Sequence, residues 1–321
     1  MKMKMKMKNK RTCLKSMKKK KNNRTCIALA LRDRPTLKSL SISRIDIFDA
    51  NYITSHYIDS FVSLKGLNSL KFISSEIPDY LLYSIAREGL RLKTFVLEDC
   101  YCYSYHGIYD LLSKVHRIQY LGLQGVDFLT NHQFSRLSLF IPDLVSINLS
   151  DCFKLTESAL FALIKNCHSL AEITIENIYI DRESLENSNT FKDFDVNPQL
   201  KFLHFTHNSF INDDIILLFA SIFPNLQLLD LSYCYDISEK SICQVLSKCG
   251  KVTHLNLTNG KKVRRLKMNS LVHPLEVLNL SGTRVDDKTL FEISNSCVGL
   301  LQLLNMSQER ECCVWLKNAD K

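Results

Sequence analysis

Leu144-Val-Ser-Ile147-Asn-Leu149-Ser-Asp-Cys152 decides the fold. Leucine or isoleucine stands at its first, fourth and sixth positions and cysteine at its ninth. The alternation around Ile147 and Leu149 is the two-residue period of a half-buried strand. The same spacing returns at Leu226, Leu229, Leu231 and Cys234, and at Leu92, Phe95, Leu97 and Cys100. Looser copies start at Leu37, Leu67, Ile118, Leu170, Leu200, Val252, Leu275 and Leu300, so that successive starts lie 23–30 residues apart and most often 26. A period of that length marks a stack of structural repeats.

A second block of helical spacing follows the strand. It is clearest in Leu155–Cys167, Ile237–Cys249 and Val285–Cys297. Thr156, Ser238 and Asp286 stand at the N-cap, and Glu157, Glu239 and Asp287 follow in the first turn, where the helix dipole favours an acid. The sixth, ninth and thirteenth residues of each block are apolar, which turns one stripe toward a core. Val115, Ile141 and Phe223 hold the thirteenth place elsewhere. One strand and one helix cannot bury a core alone. Stacked, they predict an α/β leucine-rich-repeat solenoid, a horseshoe with a parallel sheet on the concave face and helices on the convex face.

The strand motif together with the helix-ending cysteine resembles the cysteine-containing leucine-rich repeat of F-box/LRR proteins, particularly those of plants. The resemblance runs over roughly residues 25–303, and two cysteine positions recur in phase. It implies a substrate receptor of an SCF-type ubiquitin ligase, acting in ubiquitin-dependent proteasomal degradation, with a Skp-type adaptor and a cullin as partners. The F-box that would dock on the adaptor is not recognisable. Ile77-Pro-Asp-Tyr-Leu-Leu-Tyr-Ser-Ile85 mimics the opening of one, but it falls where a repeat helix belongs, and Trp315 is the only tryptophan. The alternative is a repeat scaffold or inhibitor with no ligase link.

The organisation expected is a basic tail over 1–24, about ten repeats over 25–306, and a non-repeat end over 307–321. The tail holds twelve lysines and arginines and no acid. Removing those twelve from the 42 basic residues leaves 30 against 33 acidic ones, a net charge of −3 for the body. A nucleic-acid-binding fold carries its basic patch on the fold itself, so no specific nucleic-acid partner is expected. The tail suits a solvated extension first, and a nuclear-localisation or unspecific phosphate-binding segment second. No secretory signal precedes the body, and no apolar run reaches the ~18–20 residues of a membrane span. The 12 cysteines then suit reduced thiols in a cytoplasmic or nuclear protein. Beyond Leu300 the repeat is lost, with Asn305 where an apolar residue belongs, which predicts an exposed apolar edge over Leu300–Met306.

No catalytic, metal or cofactor set emerges. Cys100, Cys152 and Cys234 suit the core as small hydrophobes, and no C-x-x-C pair occurs. His204 and His207 should point to opposite faces of a strand, and His204 and His254 should lie two strands apart, too far to share one zinc. His204 and Asp230 should be ladder neighbours about 4.8 Å apart, with Ser232 on the same face, but neither an oxyanion hole nor a central histidine completes a relay. Asn148, Asn256 and Asn279 open glycosylation sequons that are by-products of the repeat phase, and an enzyme is not expected.

What remains is the concave face, formed by positions three, five and seven. Its richer residues are Tyr120, Gln124, Asn148, Glu172, Glu176, Phe202, His204, Asp230, His254 and Asn256. They suit binding of a protein substrate, and an ordinary solvated face would show the same residue types. The acids Glu98, Glu172, Glu176 and Asp230, with no arginine among them, favour a basic or hydroxyl-rich partner.

Overall fold

A computed structural model of the chain describes residues 31, 34, 36–44, 64–178, 195–208, 211–266, 274–296 and 301–306. The tail over 1–24, most of Arg24–Leu37, Cys297 and the segment 307–321 lie outside the described residues. The chain divides into two compact units, one up to Ile118 and one from Gln119 on.

In the first unit, β1 (Ser39–Ser43), β2 (Ser69–Ile73) and β3 (Thr94–Glu98) pair in parallel. Ile42, Phe72 and Leu97 share one row, and all three are buried. Helices α1 (Asp79–Arg87) and α2 (Tyr105–Lys114) follow β2 and β3. The F-box-like stretch is α1, whose Leu81, Leu82, Ile85 and Ala86 are buried as a repeat helix requires.

In the second unit, β4 (Tyr120–Gln124), β5 (Ser146–Asn148), β6 (Glu172–Thr174), β7 (Phe202–His204), β8 (Leu228–Asp230), β9 (His254–Asn256), β10 (Val277–Asn279) and β11 (Leu303–Asn305) each pair in parallel with the next. The helices are α3 (Asn131–Ser138), α4 (Glu157–Asn166), α5 (Asp213–Ile222), α6 (Glu239–Lys248) and α7 (Asp287–Ser296). Leu121, Ile147, Ile173, Leu203, Leu229, Leu255 and Leu278 form one continuous buried row. This is the α/β leucine-rich-repeat fold read from the sequence. The β9–β10 connection departs from it: its described residues, 257–266 and 274–276, form turns and no helix.

Each end of a repeat has a local cause. Thr156 and Ser238 cap α4 and α6, accepting N–H bonds from Ser158 and Ser241, and Asp286 accepts from Thr289 ahead of its helix. At the other end Val115, Cys167, Phe223 and Cys249 are C-caps, each donating its N–H four residues back. The ninth position is a second internal cap. Cys152 and Cys234 donate their thiols to the carbonyls of Leu123 and Phe205 in the preceding repeat, at 3.0 and 2.9 Å, and Asn208 does the same to Ile175 with its amide.

Two expectations need correction. Leu303 pairs with Val277 and Leu304 with Leu278, so the last motif starts at Leu301, one residue later than its leucines suggest. Asn305 therefore occupies the fifth position, level with Asn279, and is in phase instead of displacing a core residue. The apolar edge itself is present: Leu303 is 55% and Leu304 43% exposed. The second correction concerns His207. It lies beyond β7 with φ +57°, so the alternation that would send it opposite His204 has already ended.

That left-handed residue is general. Arg44, Ser74, Asp99, Gly125, Asp151, Asn177, His207, Tyr233, Asn259 and Gly282 all have positive φ, and all stand at the eighth position. The turn keeps the ladder going: the N–H groups of Asp151, Asn177, His207 and Tyr233 reach the carbonyls of Glu176, Thr206, Ser232 and Thr258 in the following repeats.

Candidate functional site on the strand face

The strand face turned away from the helices is built by positions three, five and seven, and the left-handed eighth residue turns along its upper rim. The ten residues singled out from the sequence fall into two groups there.

Four brace the repeat itself. Asn148, Asp230 and Asn256 each accept the N–H two residues on, from Ser150, Ser232 and Thr258, at 2.9, 2.9 and 3.2 Å. Asn279 does the same for Ser281. An Asx residue followed two places on by Ser or Thr is therefore the turn that ends β5, β8, β9 and β10, which explains the in-phase sequons physically. Gln124 joins this lattice, accepting from Asn148 and donating to Asp151, while Asn177 donates to Asp151 at 2.9 Å. Asn256 donates to Asp230 at 3.0 Å.

The other six project their chemistry outward. Tyr120 is 47% exposed on β4. Glu172, Phe202 and His254 hold the third position on β6, β7 and β9, with Leu228 between the last two. Ser146 donates to Glu172 at 2.8 Å, and His204 Nε2 lies 3.8 Å from the same carboxylate. His204 and Asp230 are ladder partners, and His254 lies one strand further, as expected. Glu176, at the seventh position, is half-buried. Burial raises its carboxyl pKa, the acids Asp230 and Asp151 push it further up, and His204 and His207 pull it down.

Sequence reasoning missed the pair beside Glu176. His207 and Tyr233 hold the eighth position in neighbouring repeats, and their rings stack with centroids 3.9 Å apart and planes 13° apart. Both are bulky residues in the left-handed region, a conformation that costs about 1–3 kcal/mol and needs surrounding structure to hold it. A signal was available: with the repeats aligned, the eighth position is Asp, Asn or Gly except at Arg44, Ser74, His207 and Tyr233.

Among the described residues no group of three or more His, Cys, Asp or Glu is placed to hold a metal ion. Cys152, Cys167, Cys234 and Cys249 serve the core: burial pushes the first three thiols up to about 12 and the fourth to about 11. No helix among the described residues is long and apolar enough to cross a membrane.

No family model matches the chain. A stretch of 105 residues is 26% identical to Antagonist of mitotic exit network protein 1 of Candida glabrata, covering 31% of this chain and 20% of that protein. A stretch of 124 residues is 27% identical to the protein of the same name from Eremothecium gossypii, covering 37% and 31%. The chain thus matches between a fifth and a third of the length of these curated relatives. A chain in the crystal structure of the yeast Rad7 and Elc1 complex superposes with a TM-score of 0.51 at 15% identity, over 92% of this chain and 96% of that one. An internalin from Listeria monocytogenes gives 0.48 at 14% identity, over 87% and 89%. None of these proteins is from a plant, and at such identities the likeness to the Rad7–Elc1 structure is one of fold: a leucine-rich-repeat array.

Proposed function

We propose that the chain is a protein-recognition module whose strand face selects a target for an SCF-type ubiquitin ligase, through a Skp-type adaptor and a cullin, and so for proteasomal degradation. The observation that carries the recognition half is the strand face of the second unit, where Tyr120, Glu172, Phe202, His204 and His254 stand outward on strands whose opposite row is buried. Large aromatic and charged groups on a rigid sheet are preorganised for binding, which lowers the ordering cost of association. The ligase half rests on the resemblance of the repeats to F-box/LRR proteins. A protein of similar fold was crystallised as part of the Rad7–Elc1 complex, which agrees with a repeat array working alongside a second subunit. The function places the protein in the cytoplasm or nucleus and assigns it no chemistry of its own.

A second function is favoured by α1. The F-box-like stretch is spent as a repeat helix, so among the described residues no separate docking module stands ready for an adaptor. The sequence relatives carry the name of an antagonist. In this alternative the strand face holds a partner without delivering it to a ligase.

Affinity purification of the chain from cell extract, scored for Skp-type adaptor and cullin, separates the two. Co-purification of both that survives removal of residues 1–24 supports the ligase function. Absence of both, with other partners retained, supports the antagonist.

A further inference from the structure

Resting on the recognition function above, the strand face of β6–β8 narrows the chemistry of what is recognised. Positions three, five, seven and eight of the repeats from β4 to β10 carry the acids Asp151, Glu172, Glu176 and Asp230 and neither lysine nor arginine. Three of these acids are already engaged. Asp151 takes Gln124 and Asn177, Asp230 takes Ser232 and Asn256, and Glu172 takes Ser146. Glu176 differs: no hydrogen bond from the described residues reaches its half-buried carboxylate, and burial with the neighbouring acids Asp230 and Asp151 disfavours its charge by more than His204 and His207 favour it. A cation placed there would relieve that cost.

His207, on the repeat next to that of Glu176 and among the groups that act on its carboxylate, is one ring of the stack, and Tyr233, one repeat further on, is the other. A flat aromatic plate beside a carboxylate without a donor matches a guanidinium, which is planar, donates in a fork and stacks on rings. Lysine, a compact strongly hydrated charge, has less use for the plate. Phe202 and Leu228, paired across β7 and β8 four positions lower on the same face, offer an apolar surface to other residues of the docked segment.

We propose that this face docks a segment of a protein partner that presents an arginine, its guanidinium seated on Glu176 and against the His207–Tyr233 plate. The test is selection of binders to the full chain from a random dodecapeptide display library. Selected peptides are then measured by fluorescence anisotropy. Arginine should be enriched. Changing it to citrulline or to lysine, or using Glu176→Gln or Tyr233→Ala, should weaken binding by roughly tenfold or more, the scale of one charge-assisted contact. Glu176→Gln should melt like the parent chain, which separates lost contact from lost fold. Peptides that lose affinity on Phe202→Ser or His254→Ser, yet lack arginine or tolerate Glu176→Gln, would overturn the arginine and leave the recognition face standing. Selected peptides insensitive to every face substitution, or no selectable peptide, would overturn both.

Discussion

The carboxylate of Asp213, the first residue of α5, accepts the backbone N–H of Ser238, the cap of α6, at 2.7 Å. It also takes the hydroxyl of the buried Ser241 at 2.6 Å. The same staple recurs 25 residues apart elsewhere. Asp79 takes the N–H of Ser104, Asn131 that of Thr156, and Glu239 that of Arg264. The first three of these links fix one helix start against the next within their unit, and through the helices the register of the strands, whereas the fourth ties the start of α6 to the helix-free segment after β9.

Asp213→Ala should therefore cost about 1–3 kcal/mol, because it leaves the cap N–H of Ser238 unpaired and removes the charged one of the two acceptors of the buried Ser241 hydroxyl, the other being the Ser238 carbonyl. Burial raises the Asp213 pKa, but the bonds from Ser238 and Ser241 outweigh it and the net shift is downward. A depressed folded-state pKa contributes stability that is present above the unfolded value near 3.9 and is lost as pH falls through the lower folded value. Urea melts across pH 2–7 check this: the gap between parent and Asp213→Ala should close at the acid end.

Gly107 in α2 inverts the usual helix rule. Alanine normally stabilises a helix interior over glycine by about 0.8–1.0 kcal/mol. A Cβ on Gly107 would meet the Asp79 carboxylate oxygen well inside contact distance and Leu82 Cδ1 at 2.8 Å. Since Asp79 is held there by Ser104, at 2.8 Å to its N–H and 2.6 Å to its hydroxyl, Gly107→Ala should lower thermal stability. A rise in melting temperature would contradict the placement of α1 against α2.

Thiol labelling reads the repeat core directly. Cys152, Cys167, Cys234 and Cys249 are buried, whereas Cys102 is exposed. The first three thiols are pushed up to about 12 by burial, so almost none is thiolate at pH 8. Iodoacetamide on the native chain followed by peptide mass spectrometry should mark Cys102 and spare the four, with all five labelled in urea.

Leu149 and Leu231 occupy the sixth position of their repeats and are fully buried. Either change to alanine should cost about 2–5 kcal/mol by chemical melt. An unchanged midpoint would mean that the strand register is wrong.

That register was largely legible because period and phase are carried by leucines that have nowhere to go but the core. It failed at the last repeat because Leu300, Leu301, Leu303 and Leu304 offer the leucine spacing twice, one residue apart, and only Asn305 tells the two apart by matching Asn279. His207 was misplaced because a period of two was carried past the end of a three-residue strand. The staples had no local signal: Asp213 reads as an ordinary first-turn acid, and its bond partner is a repeat away. Of the candidate face, the outward positions could be read, but not that Asn148, Asp230 and Asn256 are spent on their own turns.

The central claim is recognition through the strand face, and the most direct measurement compares two baits. The parent chain and a Tyr120→Ser, Phe202→Ser, His254→Ser variant with an unchanged circular-dichroism spectrum would be purified from the same cells and their partners quantified. Loss of one set of bound proteins by about tenfold or more from the variant is the predicted result. An identical partner set on both baits would contradict the claim.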